Sequence, residues 1–149
     1  MKKTFERFVP HSAAQMLALV ADVDTYPDFI PHCERMDVRR SVDAPQTRFD
    51  ARMHIKFGPI AQAYTSRIEV DREACTLRAR AVDGPFSHLD SIWRFTETGQ
   101  GTSIRFDIDF AIANPLLRAV AEPAFAAKQE EIIDAFVAEA HRRYGGAQD

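Results

Sequence analysis

Between residues 34 and 110, apolar and polar side chains alternate with a period of two, broken at regular intervals by turn residues. This is the pattern of an antiparallel meander of five or six strands, each with one face toward a core and one toward water. Phe49, Ala51, Met53, Ile55 and Phe57 share one face of a strand, and Asp50, Arg52, His54 and Lys56 share the other, with Gly58-Pro59 as the expected turn. Ile60, Gln62, Tyr64, Ser66, Ile68 and Val70 then fall together. Cys75, Leu77, Ala79 and Ala81 follow, with Arg78 and Arg80 turned outward. Leu89, Ser91, Trp93 and Phe95 and then Ile104, Phe106, Ile108 and Phe110 flank a Gly-containing turn and read as a hairpin.

The flanks have a different period. Residues 2–9 are a run of strand formers ended by Pro10. After it Ser12, with Gln15 three residues on, forms a capping box ahead of Met16, Leu17, Val20 and Ala21 at helical spacing. Residues 22–33 hold two prolines and predict a short second helix bounded by Pro27 and Pro31. Asn114-Pro115 opens a long helix, with the cap residue followed by proline at its first position. Pro123 is expected to interrupt it after about two turns. Beyond it Phe125, Ile132, Ile133, Phe136, Val137, Ala140 and Tyr144 form an apolar stripe, and Gly145-Gly146 ends the helix.

Strand, short helices, meander and one long helix predict a single α+β domain over residues 1–149, a curved antiparallel sheet of about seven strands wrapped around the last helix. About 30 helical residues span roughly 45 Å, more than the roughly 33 Å of a ten-residue strand, so one helix covers the sheet. A cylinder about 10 Å across does not fill so wide a trough unless bulky residues occupy each gap. Ser66, Ser91, Ala79, Ala81 and Gln62 are small or polar at inward positions, and an internal pocket is expected.

Composition narrows the function. The chain is 46% hydrophobic and 28% charged, enough apolar material for a packed core, and its net charge of −3 argues against a dedicated DNA binder. Cys33 and Cys75 lie far apart with no signal-peptide pattern, which predicts free thiols and cytosolic residence. No apolar run approaches the roughly 20 residues of a membrane span, so membrane contact is expected to be peripheral. His11, His32, His54, His88 and His141 contain no pair at a metal-ligand spacing, and no metal site is expected. The inward strand positions carry no Asp, Glu or His, so an acid–base catalyst is disfavoured. Arg35, Arg39, Arg40, Arg78 and Arg80 are expected on a solvated outer face, diluted by Asp37, Asp43 and Asp50.

The order of elements, with the segment Asp24-Thr-Tyr-Pro-Asp-Phe-Ile-Pro-His-Cys33, Gly84-Pro85-Phe86 with Leu89, Trp93-Arg94-Phe95, and Phe110-Ala-Ile-Ala-Asn-Pro-Leu116, resembles the coenzyme Q-binding family of START-like domains, which also contains the ribosome association toxin. The resemblance runs from about Thr4 to Tyr144. It implies a helix-grip fold whose hydrophobic tunnel holds a polyprenyl quinone such as ubiquinone as a bound ligand, with no catalytic cofactor. That role would support respiratory electron transport or quinone biosynthesis, with peripheral contact at the inner membrane. Gln62, Tyr64, Ser66 and Ser91 are the candidates to hydrogen-bond the quinone ring. Phe57, Phe86, Trp93, Val120, Phe125 and Ile132 would contact the tail, and Phe106 and Leu116 complete the expected contacts. Phe29 and Pro85 mark the loops expected at the mouth. The ribosome is the alternative partner, and polyketide cyclisation the alternative chemistry.

Overall fold

The Ser12 hydroxyl accepts the Gln15 amide at 3.1 Å and the Gln15 side chain accepts the Ser12 amide at 3.0 Å, so the capping box forms and starts α1, Ala13–Ala21, directly after β1, Lys2–Val9. The computed structural model describes residues 1–57 and 60–145, with all their side chains except those of Phe57 and Ile60. The Gly58-Pro59 turn and Gly146 therefore lie outside the described residues.

The two-residue alternation becomes six strands: β2, Cys33–Arg40; β3, Arg48–Phe57; β4, Ile60–Asp71; β5, Thr76–Ala81; β6, Phe86–Thr98; and β7, Gly101–Ile112. With β1 they form a seven-stranded antiparallel sheet in the order β1-β7-β6-β5-β4-β3-β2. The first strand thus joins the far edge of the meander, pairing Phe5 with Phe106 and Val9 with Thr102. One cross-strand row on the outer face runs Lys2, Asp109, Asp90, Arg80, Arg67, Asp50, Arg39, so charges of both signs cover the side turned away from the core.

The concave face is closed by α2, Pro115–Tyr144, which places Ile133, Phe136 and Ala140 in the core against the sheet. Trp93 meets Phe136 edge-on at 5.2 Å and Phe106 at 4.4 Å between ring centroids, joining helix and sheet through aromatic contacts.

Two local expectations are corrected. The segment after α1 is a 3₁₀ helix, Val23–Asp28, with Pro27 inside it rather than at its edge. A six-residue turn of this kind forgoes few backbone bonds, so a proline fits within it. Pro123 does not interrupt α2, which is a single helix of 30 residues. The carbonyl that loses its partner belongs to Ala119 on an exposed turn, open to solvent that can take the place of the missing N–H.

Candidate functional site

The sheet and α2 enclose a cavity of about 110 Å3. Its walls come from the inward positions that the alternation predicts: Ala51 and Met53 on β3, Tyr64, Ser66 and Ile68 on β4, Leu77 and Ala79 on β5, Leu89, Ser91 and Trp93 on β6, and Phe106 and Ile108 on β7. The helix supplies Phe125, Gln129, Ile132 and Phe136, and the 3₁₀ segment with its exit supplies Val23, Tyr26 and Ile30. Small residues create the space. Ala51 pairs with Ser66 and Ala79 with Ser91, and these four short side chains face the helix where longer ones would meet it.

The volume is below the roughly 300–1,000 Å3 of common small-molecule pockets. A ligand with a long tail therefore requires wall side chains to move. At the end of the sheet where α2 begins, Phe86 packs against Tyr64 at 5.3 Å and Phe125 at 5.1 Å and is itself half-buried. One aromatic ring thus separates the cavity from that surface. Gly84 positions it: its φ of +103° and the 2.5 Å between an added Cβ and the Tyr64 Cβ leave room only for glycine where the β5–β6 connection crosses β4.

A few polar groups interrupt the apolar walls. Among the described residues the Tyr64 hydroxyl has only the Met53 sulfur, 3.9 Å away, as a partner, and burial pushes its pKa up to about 12, so it remains a neutral donor. The Ser66 hydroxyl makes no hydrogen bond to a described residue, and Ser91 donates weakly to the Ala79 carbonyl at 3.5 Å. Gln129, which the strand pattern could not reveal, is buried and donates to the Phe125 carbonyl at 3.4 Å, leaving its amide oxygen without a donor. Tyr26 is already engaged, donating to the Val20 carbonyl. No carboxylate or imidazole lines the cavity, so it can solvate a ligand's carbonyl or hydroxyl but holds no acid–base pair. Burial raises the Cys33 thiol to about 11, which keeps it protonated and unreactive. Among the described residues no group of three metal-ligating side chains exists.

Of the residues expected from sequence to meet a ligand, Tyr64, Ser66, Ser91, Trp93, Phe106, Phe125 and Ile132 reach the wall. Phe86 stands behind it, and Pro85 lies beside it, its carbonyl accepting the Ala113 amide at 2.9 Å. Phe29 packs on Tyr26 and Phe136 outside the cavity, and Gln62 is exposed on the part of β4 beyond the end of β5. Leu116 and Val120 are 88% and 78% exposed, because the first turns of α2 project past the sheet. The Phe57 side chain lies outside the described residues. Residues 23, 26 and 30 were missed because they reach the cavity from irregular segments where period-two alternation gives no signal, whereas Met36 alternates with Asp37 but sits on the edge strand β2.

The 130-residue separation of His11 and His141 also hid a contact: His11 Nε2 lies 3.0 Å from His141 Nδ1 at the opposite end of α2. The spacing along the chain gave no sign of this contact, and among the described residues the pair has no third metal-ligating partner.

Comparison with known proteins agrees with this architecture. The ribosome association toxin RatA of Pseudomonas aeruginosa is 29% identical over 92% of this chain and 93% of its own. The mitochondrial coenzyme Q-binding protein COQ10 homolog B of Xenopus laevis is 33% identical over 90% of this chain, which spans 55% of that protein. The crystal structure of an aromatase/cyclase from a Streptomyces strain superposes with a TM-score of 0.82 over 99% of this chain and all of its own, at 20% identity, a likeness of fold alone. The sequence profile described as polyketide cyclase/dehydrase and lipid transport matches residues 9–137, and the chain belongs to that family.

Proposed function

We propose that this protein is a non-enzymatic carrier of an apolar small molecule with carbonyl groups, of the polyprenyl quinone class, held between the sheet and α2. The observation that carries this reading is the lining of the cavity: aromatic and aliphatic walls, with the underused hydroxyls of Tyr64 and Ser66 as donors and no acid or base. Burial of the ligand's apolar surface supplies affinity at about 25 cal/mol per Å2, and hydroxyl donors orient carbonyl oxygens. The relative named as a coenzyme Q-binding protein supports the same ligand class. Trp93 is the only tryptophan and lines the cavity, so its fluorescence reports occupancy. Saturable quenching by a short-chain ubiquinone, together with quinone in organic extracts of the purified protein, is expected. Absence of both would overturn the reading.

A second reading has its own support. A relative named as a ribosome association toxin aligns over nearly the whole of both chains. Lys2, Arg78 and Arg80 also border a groove of about 300 Å3 on the outer sheet face, suited to phosphate contacts. Salt-resistant co-sedimentation with the large ribosomal subunit would favour this reading. The acids Asp90, Asp107 and Asp109 in the same groove weigh against it.

A further inference from the structure

Of the α2 residues that line the cavity, Phe125, Gln129, Ile132 and Phe136, only Gln129 is polar, and it is 6% exposed. A buried amide with an unmet hydrogen bond is costly, so its surroundings carry information about what it serves. The side-chain Nε2 donates to the Phe125 carbonyl one turn back on the same helix, at 3.4 Å. The Oε1 atom accepts from no donor among the described residues. No fully enclosed side-chain oxygen or nitrogen among them lacks a partner, so Oε1 borders open space, and for a wall residue this buried that space is the cavity. Turning the amide over would set Oε1 against the Phe125 carbonyl, acceptor against acceptor, which fixes its orientation.

The opposite wall has a different capacity. Tyr64 and Ser66 come from β4, across the cavity from α2, and each hydroxyl can donate or accept, whereas an amide oxygen can only accept. The volume of about 110 Å3 leaves room for little more than one ring, since an apolar cavity of about 150 Å3 takes up a benzene. A ring bound there meets both walls. Water can donate to Oε1, but a bound ring displaces it and must supply that hydrogen bond itself.

A quinone ring carries acceptors only. Its carbonyls suit the β4 hydroxyls, yet toward α2 they meet Oε1, a second acceptor, and leave it unpaired. A hydroquinone brings an O–H to each end of the ring. We infer that the cavity prefers the hydroquinone form of its ligand over the quinone, with Gln129 Oε1 accepting one ring O–H while Tyr64 or Ser66 donates to the other ring oxygen. The inference rests on the carrier reading and narrows it. Quinone, two electrons and two protons give hydroquinone, so tighter binding of the reduced form makes the bound quinone easier to reduce. A tenfold preference raises its two-electron midpoint by about 30 mV.

The test is anaerobic calorimetric titration of the full chain with a short-chain ubiquinone and with its hydroquinone. The parent should bind the hydroquinone about tenfold more tightly, and a mediated redox titration should place the midpoint of the bound quinone about 30 mV above that of the free one. Gln129→Met, similar in length but without the amide, should weaken the hydroquinone about tenfold and bring the two affinities within about twofold of each other. Circular dichroism checks that the variant is folded, and the affinity ratio and midpoint of the parent need no variant. Equal affinities in the parent, tighter binding of the quinone, or a folded Gln129→Met variant that keeps the parental ratio would each overturn the inference and leave the carrier reading in place. Binding of neither form by the parent would overturn the carrier reading and this inference with it.

Discussion

His11 Nε2 lies 3.0 Å from His141 Nδ1, a hydrogen bond that ties the chain just after β1 to the last turn of α2. His11 is only 6% exposed, and its carbonyl also accepts the hydroxyl of the fully buried Thr102 at 2.7 Å. The pair closes the C-terminal end of α2, with Tyr144 tilted over His11 at 5.8 Å. One N–H between the rings satisfies both; the contact is lost once both rings are charged and both facing nitrogens carry a proton.

The sign of the resulting pH dependence follows. Burial first, and the neighbouring His141 second, lower the His11 pKa below its ordinary 6.5. The unfolded chain then binds more protons in mild acid, so stability is fully present above about pH 6.5 and falls as pH drops below it. Denaturant unfolding between about pH 7 and pH 5 should show this loss. His11→Gln should remove most of the slope. His141→Gln should remove the smaller part, because burial is the larger cause.

A second acid-sensitive contact lies two residues before His141. Glu139 is 6% exposed, accepts from Arg142 at 2.9 Å and Arg143 at 2.8 Å, and its pKa is held down to about 2 chiefly by the Arg142 hydrogen bond. Its contribution is present above about pH 4.5 and is lost as pH falls toward 2. Arg143 also reaches Asp22 at 3.1 Å and Thr25 at 2.8 Å, fixing the 3₁₀ segment that brings Tyr26 to the cavity. Arg143→Met should cost about 2 kcal/mol in urea unfolding and weaken quinone quenching of Trp93.

Filling the cavity separates binding from folding. Ala79→Leu adds three carbon atoms at a wall position beside a void of about 110 Å3, so the melting temperature should hold or rise while ligand quenching of Trp93 is lost. A large loss of stability would show that the void is not available to side chains.

Tyr64→Phe and Ser66→Ala remove donors that the protein itself scarcely uses. Each should leave stability within about 1 kcal/mol and weaken a quinone about five- to tenfold, with little effect on an aliphatic ligand of similar size. Equal loss for both ligands would assign these positions to packing.

Gly84→Ala tests the geometry behind Tyr64. With φ at +103° and an added Cβ 2.5 Å from the Tyr64 Cβ, the substitution should cost about 1–3 kcal/mol, measured by thermal or urea unfolding, and displace the Tyr64–Phe86 contact.

Local pattern was enough for the strand faces, the capped helices and the wrapping of a sheet around α2, because alternation, Ser12, Asn114 and Pro115 act within a few residues of themselves. It also placed Tyr64, Ser66, Ser91 and Trp93 on inward faces, since β-strand period alone decides that. Which inward residues reach the cavity depends on how the distant elements pack. Gln62 shares a face with Tyr64 yet is exposed, because it lies on the part of β4 that runs beyond β5, whose last pair is Ala81 with Ser66. Leu116 and Val120 are apolar yet bare, because α2 outruns the sheet it covers. His11 and His141 meet only because β1 crosses to the far edge beside β7 and α2 runs back along it, a relation between distant segments that no local pattern encodes.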